Sequence, residues 1–166
     1  TAATLPETMV AREIGRLGRA LYAAPAYASQ AGLPAHPREL TQHRLVTNSA
    51  VSHLNQWPFV IDGQALTIAV EGDWRSNDTG LAANLVLQGL GIGRLGTLVA
   101  EPLVREGRLV PVLADCVDVQ PIPIYAVTAS ARQRLPKIRA CIDYWAEWIS
   151  RTSAATAAPR VRRSRA

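Results

Sequence analysis

Hydrophobic positions recur along the chain with two spacings, and each marks a kind of element. In residues 19–32, "RALYAAPAYASQAG", an apolar strand-like run ends at Ala24; a short helix opens at Pro25 and closes at Gly32, because proline suits the first helical turn and glycine the exit. Pro34 and Pro37 break regularity, "PREL" makes one helical turn, and "RLVTNS" (44–49) is a short apolar strand. "WPFVIDGQALTIAVEG" predicts a hairpin: two apolar runs flank Asp62-Gly63, a pair suited to the positive backbone angles of a tight turn, and Leu66, Ile68 and Val70 alternate toward one buried face. Farther along, "TLVAEPLVREG" predicts a helix ending near Gly107 despite Pro102, followed by the strand "RLVPVL". "QPIPIYAVTAS" (120–130) is another strand, with its prolines near the start. In residues 135–150, Ile138, Cys141, Ile142, Trp145, Trp148 and Ile149 fall at three- and four-residue steps, the signature of a long amphipathic helix. Strands alternating with helices predict an α/β domain, with antiparallel pairing contributed by the hairpin.

The segment "SNDTGLAANLVLQGLGIGRLG" (76–96) resembles a glycine-rich phosphate loop, but its order is reversed. Such a loop places its glycines before a helix, so that free backbone N–H groups and the helix N-terminus meet the anion. Here Ser76, Asn77 and Asp78 are capping residues, Leu81, Leu85 and Val86 follow at helical spacing, and Gly89 suits the left-handed position that ends a helix. "GIGRL" then reads as a short buried strand. The glycine run therefore carries no nucleotide phosphate, and the helix entry near Asn77 remains the end that can meet an anion.

Composition narrows the classes. With 166 residues, 48% of them apolar and 19% charged, the chain can bury a sizeable core, and no apolar run approaches membrane-spanning length. The first residues, beginning with Thr1, lack a basic-then-apolar signal pattern, which predicts a fragment rather than a secreted precursor. A net charge of +5 suggests nucleic acid until it is located. Five of the 18 basic residues, Arg151, Arg160, Arg162, Arg163 and Arg165, lie in the acid-free last sixteen positions, so the 13 that remain equal the 13 acids. Residues 151–166 are expected to be a disordered basic tail. Cys116 and Cys141 form no paired motif and are expected to be buried, reduced thiols, while His36, His43 and His53 lack ligand spacing, so no metal or other cofactor is expected.

Five segments in order carry a resemblance: residues 10–46, "WPF" with Asp62-Gly63, "VEGDWRSNDTGLAANLVLQGLGIGRL" (70–95), "LVREGRLVPVLAD" (103–115) and "LPKIRACIDYWAEWI" (135–149). Each motif is weak alone; together they make the chain similar to the C-terminal effector-binding domain of LysR-type transcriptional regulators, collinear over about residues 10–150. One local departure is Gly96, where the family commonly has proline. The resemblance implies an α/β, periplasmic-binding-protein-like fold comprising one nearly complete lobe plus the returning C-terminal helix of the other. On this mapping residues 1–150 are a partial effector-binding domain, 20–125 its second lobe, and 126–150 the returning strand end and first-lobe helix. The family's DNA-binding helix-turn-helix and most of its first lobe would precede Thr1.

The function so implied is sensing of a small organic molecule in an interlobe cleft of a cytoplasmic bacterial regulator, with binding but no enzymatic chemistry. The cleft maps onto Thr47, Asn48 and Ser49 after one strand and onto Ser76, Asn77 and Asp78 at the helix entry, with Gly91, Ile92 and Gly93 as its floor. Hydroxyls, amides and free N–H groups at a helix start suit a carboxylate or similar polar effector. Simple helix capping is the alternative for Ser76 to Asp78, and the Asp78 carboxylate itself competes for the helix N-terminus. The implied partners are the effector and a second copy of the chain, since the apolar face of the last helix (Ile138, Ile142, Trp145, Ile149) lacks a first lobe to cover it. DNA would be met only through the preceding domain, and no membrane partner is implied. Two rival classes stand beside this reading. Glu71, Asp73, Asp78 and His53 form no catalytic motif, and a transport-type solute-binding protein would share the fold.

Overall fold

The structure, a computed structural model, describes residues 8–129 and 135–156, which fall into two compact units: residues 18–120, and residues 8–17 with the described residues from 121 to 156.

In the larger unit a five-stranded mixed sheet is ordered β6-β3-β7-β2-β8, from β2 (Arg19–Ala23), β3 (Leu45–Asn48), β6 (Trp74–Ser76), β7 (Ile92–Gly96) and β8 (Val110–Val112). β3 runs parallel to β6 and β7, whereas β2 runs antiparallel to β7 and β8. Three helices belong to this unit: α1 (Pro25–Ala31), α2 (Thr79–Leu87) and α3 (Thr97–Arg105). Leu21, Tyr22, Tyr27, Leu40, Val86, Ile92 and Leu109 are all but completely buried in one core, each worth about 1.5–3 kcal/mol for a large apolar side chain. Gly93 makes the helix–sheet packing close, since a Cβ there would lie 2.6 Å from Val86 Cγ2.

Both longer helices stop for the reason legible in the sequence. After α2, Gly89 takes φ +73°, its N–H donates to Val86 O (3.0 Å), and Leu90 N–H donates to Leu85 O (3.1 Å). This closes the terminal carbonyls in a Schellman motif. Gly107 does the same for α3, with Gly107 N–H to Val104 O and Arg108 N–H to Leu103 O. Glycine in place of the family's proline is accommodated: Gly96 caps α3 with φ −63° and ψ 130°, backbone angles that proline also adopts. The expected hairpin is β4 (Gln56–Ile61) with β5 (Gln64–Ala69), turned by Asp62 (φ 51°) and Gly63 (φ 76°). Trp57 and Phe59 anchor it by burial.

The smaller unit pairs β1 (Met9–Leu17) antiparallel to β9 (Ile122–Ala129), and α4 (Pro136–Thr156) packs on β1. The sequence pattern missed β1 because its register shifts between Glu13 and Gly15, which breaks alternation among Arg12, Glu13 and Arg16. Gly15 is obligatory for the packing: a Cβ would run into the Ile149 side chain.

Three expectations need correction. The last helix does not leave its whole apolar face open: Ile149 is 5% exposed and Ile138 and Ile142 are half-buried, while Trp145 at the rim stays 47% exposed. Neither thiol is fully buried; Cys116 is half-buried and Cys141 exposed. The helix also continues to Thr156, into the stretch expected to be a tail, supported by an Arg151–Glu147 ion pair at i,i+4 and a Thr152 Oγ1–Trp148 O bond of 2.8 Å. The rest of that stretch, 157–166, lies outside the described residues.

Candidate functional site

Parallel β3, β6 and β7 end together, and a cavity of about 40 Å³, with polar and apolar walls, lies at their carboxyl ends, where open α/β sheets take ligands. Within the larger unit it is lined by Thr47 and Asn48 of β3, Ser76 of β6, Asp78 and Thr79 at the entry to α2, and Arg94 of β7, with Arg19, Asn55 and Trp57 around them.

Most of the polar atoms expected to receive a ligand are already engaged. Thr47, 5% exposed, donates from Oγ1 to Trp74 O at 3.4 Å. Asn48 Oδ1 accepts the N–H groups of Ala50 (2.9 Å) and Val51 (2.7 Å), and Asn55 closes the loop by donating Nδ2 to Asn48 O and accepting Asn48 N–H, each at 2.8 Å. Ser76, also 5% exposed, bonds through Oγ to both N–H and C=O of Asp78 at 3.0 Å. Asp78 caps α2, its Oδ1 accepting Leu81 N–H at 2.6 Å. The competition for the helix N-terminus foreseen from the sequence is therefore decided in favour of Asp78.

Of the nine residues expected at the cleft, Thr47, Asn48, Ser76 and Asp78 line this cavity. Ser49 and Asn77 are exposed and lie outside its lining, although Ser49 N–H joins the strand ends by donating to Ser76 O (3.1 Å). Gly91, Ile92 and Gly93 are buried away from it: Ile92 is core, and Cβ atoms at Gly91 and Gly93 would meet Arg44 O and Val86. They set the spacing of β7 against its neighbours and are not among the residues that line this cavity.

Sequence reasoning missed Arg19 and Arg94. Arg94 sits in the otherwise buried "GIGRL" strand, and Arg19 begins β2, diagonal to it across the β2–β7 ladder. The Nε atoms of both are buried and donate to no acceptor among the described residues. Burial and, second, the Arg19 charge push the Arg94 guanidinium below its ordinary pKa, with Asp118 opposing. The available signal was a charge inside an apolar strand, which needs a partner or a use.

The histidines have local roles: His36 Nδ1 accepts Arg38 N–H (3.2 Å), and His43 Nδ1 bonds Tyr27 Oη (3.1 Å). Among the described residues no group of three or more His, Cys, Asp and Glu is placed to hold a metal ion, and no helix is long and apolar enough to cross a membrane.

A mixed α/β sheet with a cavity at the ends of its parallel strands has the architecture of a lobe of the periplasmic-binding-protein-like class. The chain belongs to the LysR substrate-binding domain family, whose model matches residues 2–150. It is 31% identical over 145 residues to an HTH-type transcriptional regulator of Xanthomonas campestris pv. campestris (84% of this chain, 42% of that protein). It is 28% identical over 145 residues to the HTH-type transcriptional activator TtdR of Escherichia coli (87% and 46%). Among solved structures, the regulatory domain of CrgA from Neisseria meningitidis superposes with a TM-score of 0.80 at 24% identity (86% of this chain, 70% of that one). Full-length AphB of Vibrio cholerae gives 0.71 at 26% identity (87% and 49%). These relatives are transcriptional regulators and not transport proteins, and the chain spans less than half the length of the first two.

Proposed function

We propose that this chain is the effector-sensing part of a cytoplasmic LysR-type regulator, in which a small organic molecule binds at the cavity formed by Thr47, Asn48, Ser76 and Asp78 and changes transcription from DNA. The observation that carries the reading is the convergence of these side chains, from three separate elements, on one cavity at the strand ends of a family-matched lobe. The effector acts by differential affinity for two arrangements of the regulator and undergoes no covalent change. DNA contact belongs to a helix-turn-helix outside these residues, as the names of the relatives indicate for those proteins. The working form is a homo-oligomer. Tyr144, Trp145 and Trp148, 58%, 47% and 37% exposed and stacked edge-on, leave α4 an aromatic surface that suits a second copy.

The test is a panel of small organic acids and neutral analogues screened by heteronuclear NMR against residues 1–166 and against Ala82→Leu. Ala82 faces the cavity from α2, and the larger side chain fills it while keeping a good helix former. Saturable shifts at Trp57 and Thr79, abolished by Ala82→Leu in a folded protein, support the reading. Ligands that bind wild type and Ala82→Leu equally place the effector elsewhere.

A further inference from the structure

We propose that Arg19 and Arg94 form an oxyanion subsite in this cavity, so that the effector presents a carboxylate, or another oxyanion group, to two guanidinium forks. The proposal rests on the cavity being the effector site and names the chemistry that the site selects.

The ladder places the two arginines together. In antiparallel β2–β7, Arg19 stands opposite Gly96 and Arg94 opposite Leu21, so both are on one face of the sheet, two positions apart along the ladder. Neither has a charged cross-strand partner, and both line the same cavity. Both arginines are half-buried, and an N–H withdrawn from water normally finds an acceptor within the protein. Here both Nε–H groups are buried without an acceptor among the described residues, on adjacent strands, where the two cations repel. The acidified Arg94 reflects that environment.

No carboxylate of the cavity answers them. Asp78 is the one acidic residue in its lining, and that side chain is engaged in capping α2 at Leu81 N–H. Asp118, which favours the charged Arg94, is outside the lining and accepts Gln120 Nε2 at 2.8 Å. An arriving oxyanion supplies a counter-charge to both guanidinium groups and screens their repulsion. The space, about 40 Å³ and open to solvent, is on the scale of a head group, so the remainder of the effector extends out of the cavity. Neutral polar ligands satisfy the hydroxyls but leave the paired charges uncompensated, which sets the preference for anions.

The experiment follows the arginine Nε–Hε and Trp57 Nε1–H NMR signals of residues 1–166 during titration with acetate, succinate, inorganic phosphate and neutral succinamide at constant ionic strength. Expected are saturable shifts of both arginine signals with the anions, at least ten-fold weaker binding in Arg19→Gln and in Arg94→Gln, and weaker binding also in Arg94→Lys, which keeps charge but loses the fork. Arg108→Gln, paired on the surface with Glu106, is unchanged. Without anion, the two glutamine variants melt at or above the wild-type temperature, because a repulsive pair has been removed; purely structural arginines would lower it. Carboxylate against phosphate, by relative affinity, identifies the source of the oxyanion. Unmoved arginine signals with every anion, or anion affinity unchanged by Arg19→Gln and Arg94→Gln, overturn the subsite. If succinamide then still shifts Trp57, effector binding at the cavity survives alone; if no probe shifts Trp57 or the arginines, both readings fall.

Discussion

Gly93→Ala separates a packing glycine from a cleft glycine. Gly93 lies in β7 under α2, and the added Cβ would sit 2.6 Å from Val86 Cγ2 and 3.5 Å from Val46 Cβ. Ordinary carbon contacts lie at about 3.5–4.0 Å, so α2 or β7 must move by roughly 1 Å. Val86 is 0% exposed and has no room to rotate away. Such overpacking costs about 1–3 kcal/mol, and for a unit of this size about 4–8 °C in melting temperature per kcal/mol. Denaturant and thermal melts of wild type, Gly93→Ala, Val86→Ala and the double variant test the cause as well as the size. If the clash with Val86 is responsible, the double variant is less destabilised than the sum of the singles, with a coupling of about 0.5–3 kcal/mol. A neutral Gly93→Ala, or strictly additive effects, would refute the argument. A stable variant with lost effector affinity would restore Gly93 to the cleft floor.

Three further outcomes are expected. Asp78→Ala loses about 1 kcal/mol in chemical denaturation because the Leu81 N–H cap disappears; equal loss with Asn77→Ala would show that the cap is not specific to Asp78. Burial, and then the neighbouring Asp115, raise the Cys116 thiol pKa. Its contribution to stability is therefore complete below the pKa of the unfolded thiol and is lost as pH rises through the higher folded value, and Cys116→Ala flattens that alkaline decline in melts between about pH 8 and pH 10. A wild-type decline that persists unchanged in the variant excludes this cause, and exposed Cys141 should react with a thiol reagent well before Cys116. Trp145→Glu should shift sedimentation equilibrium toward monomer while leaving the melt nearly unchanged, whereas Ile149→Glu should unfold α4 from β1; a wild-type chain that is monomeric at all concentrations rejects the aromatic surface of α4 as an oligomer contact in this chain.

The sequence by itself determined most of the local structure. The proline entry and glycine exit of α1, the Asp62-Gly63 turn and the glycine stops after α2 and α3 depend on backbone angles that few residues tolerate, so chemistry and conformation are tied within a few positions. Five ordered motifs also carried the family, which the match over residues 2–150 shows. Tertiary structure alone decided what the polar residues do. Ser76, Asn77 and Asp78 are all competent caps by composition, and only the fold gave the cap to Asp78, buried Ser76 and left Asn77 outside the cavity. Ile14 and Gly15 in β1 were illegible because a register shift defeats alternation, and its packing reason, Ile149, lies far along the chain. Arg19 and Arg94 are 75 positions apart, and although a charge within the apolar strand marks Arg94 as unusual, long-range strand register, which no local pattern encodes, brings the two cations to one cavity with both Nε–H groups unanswered among the described residues.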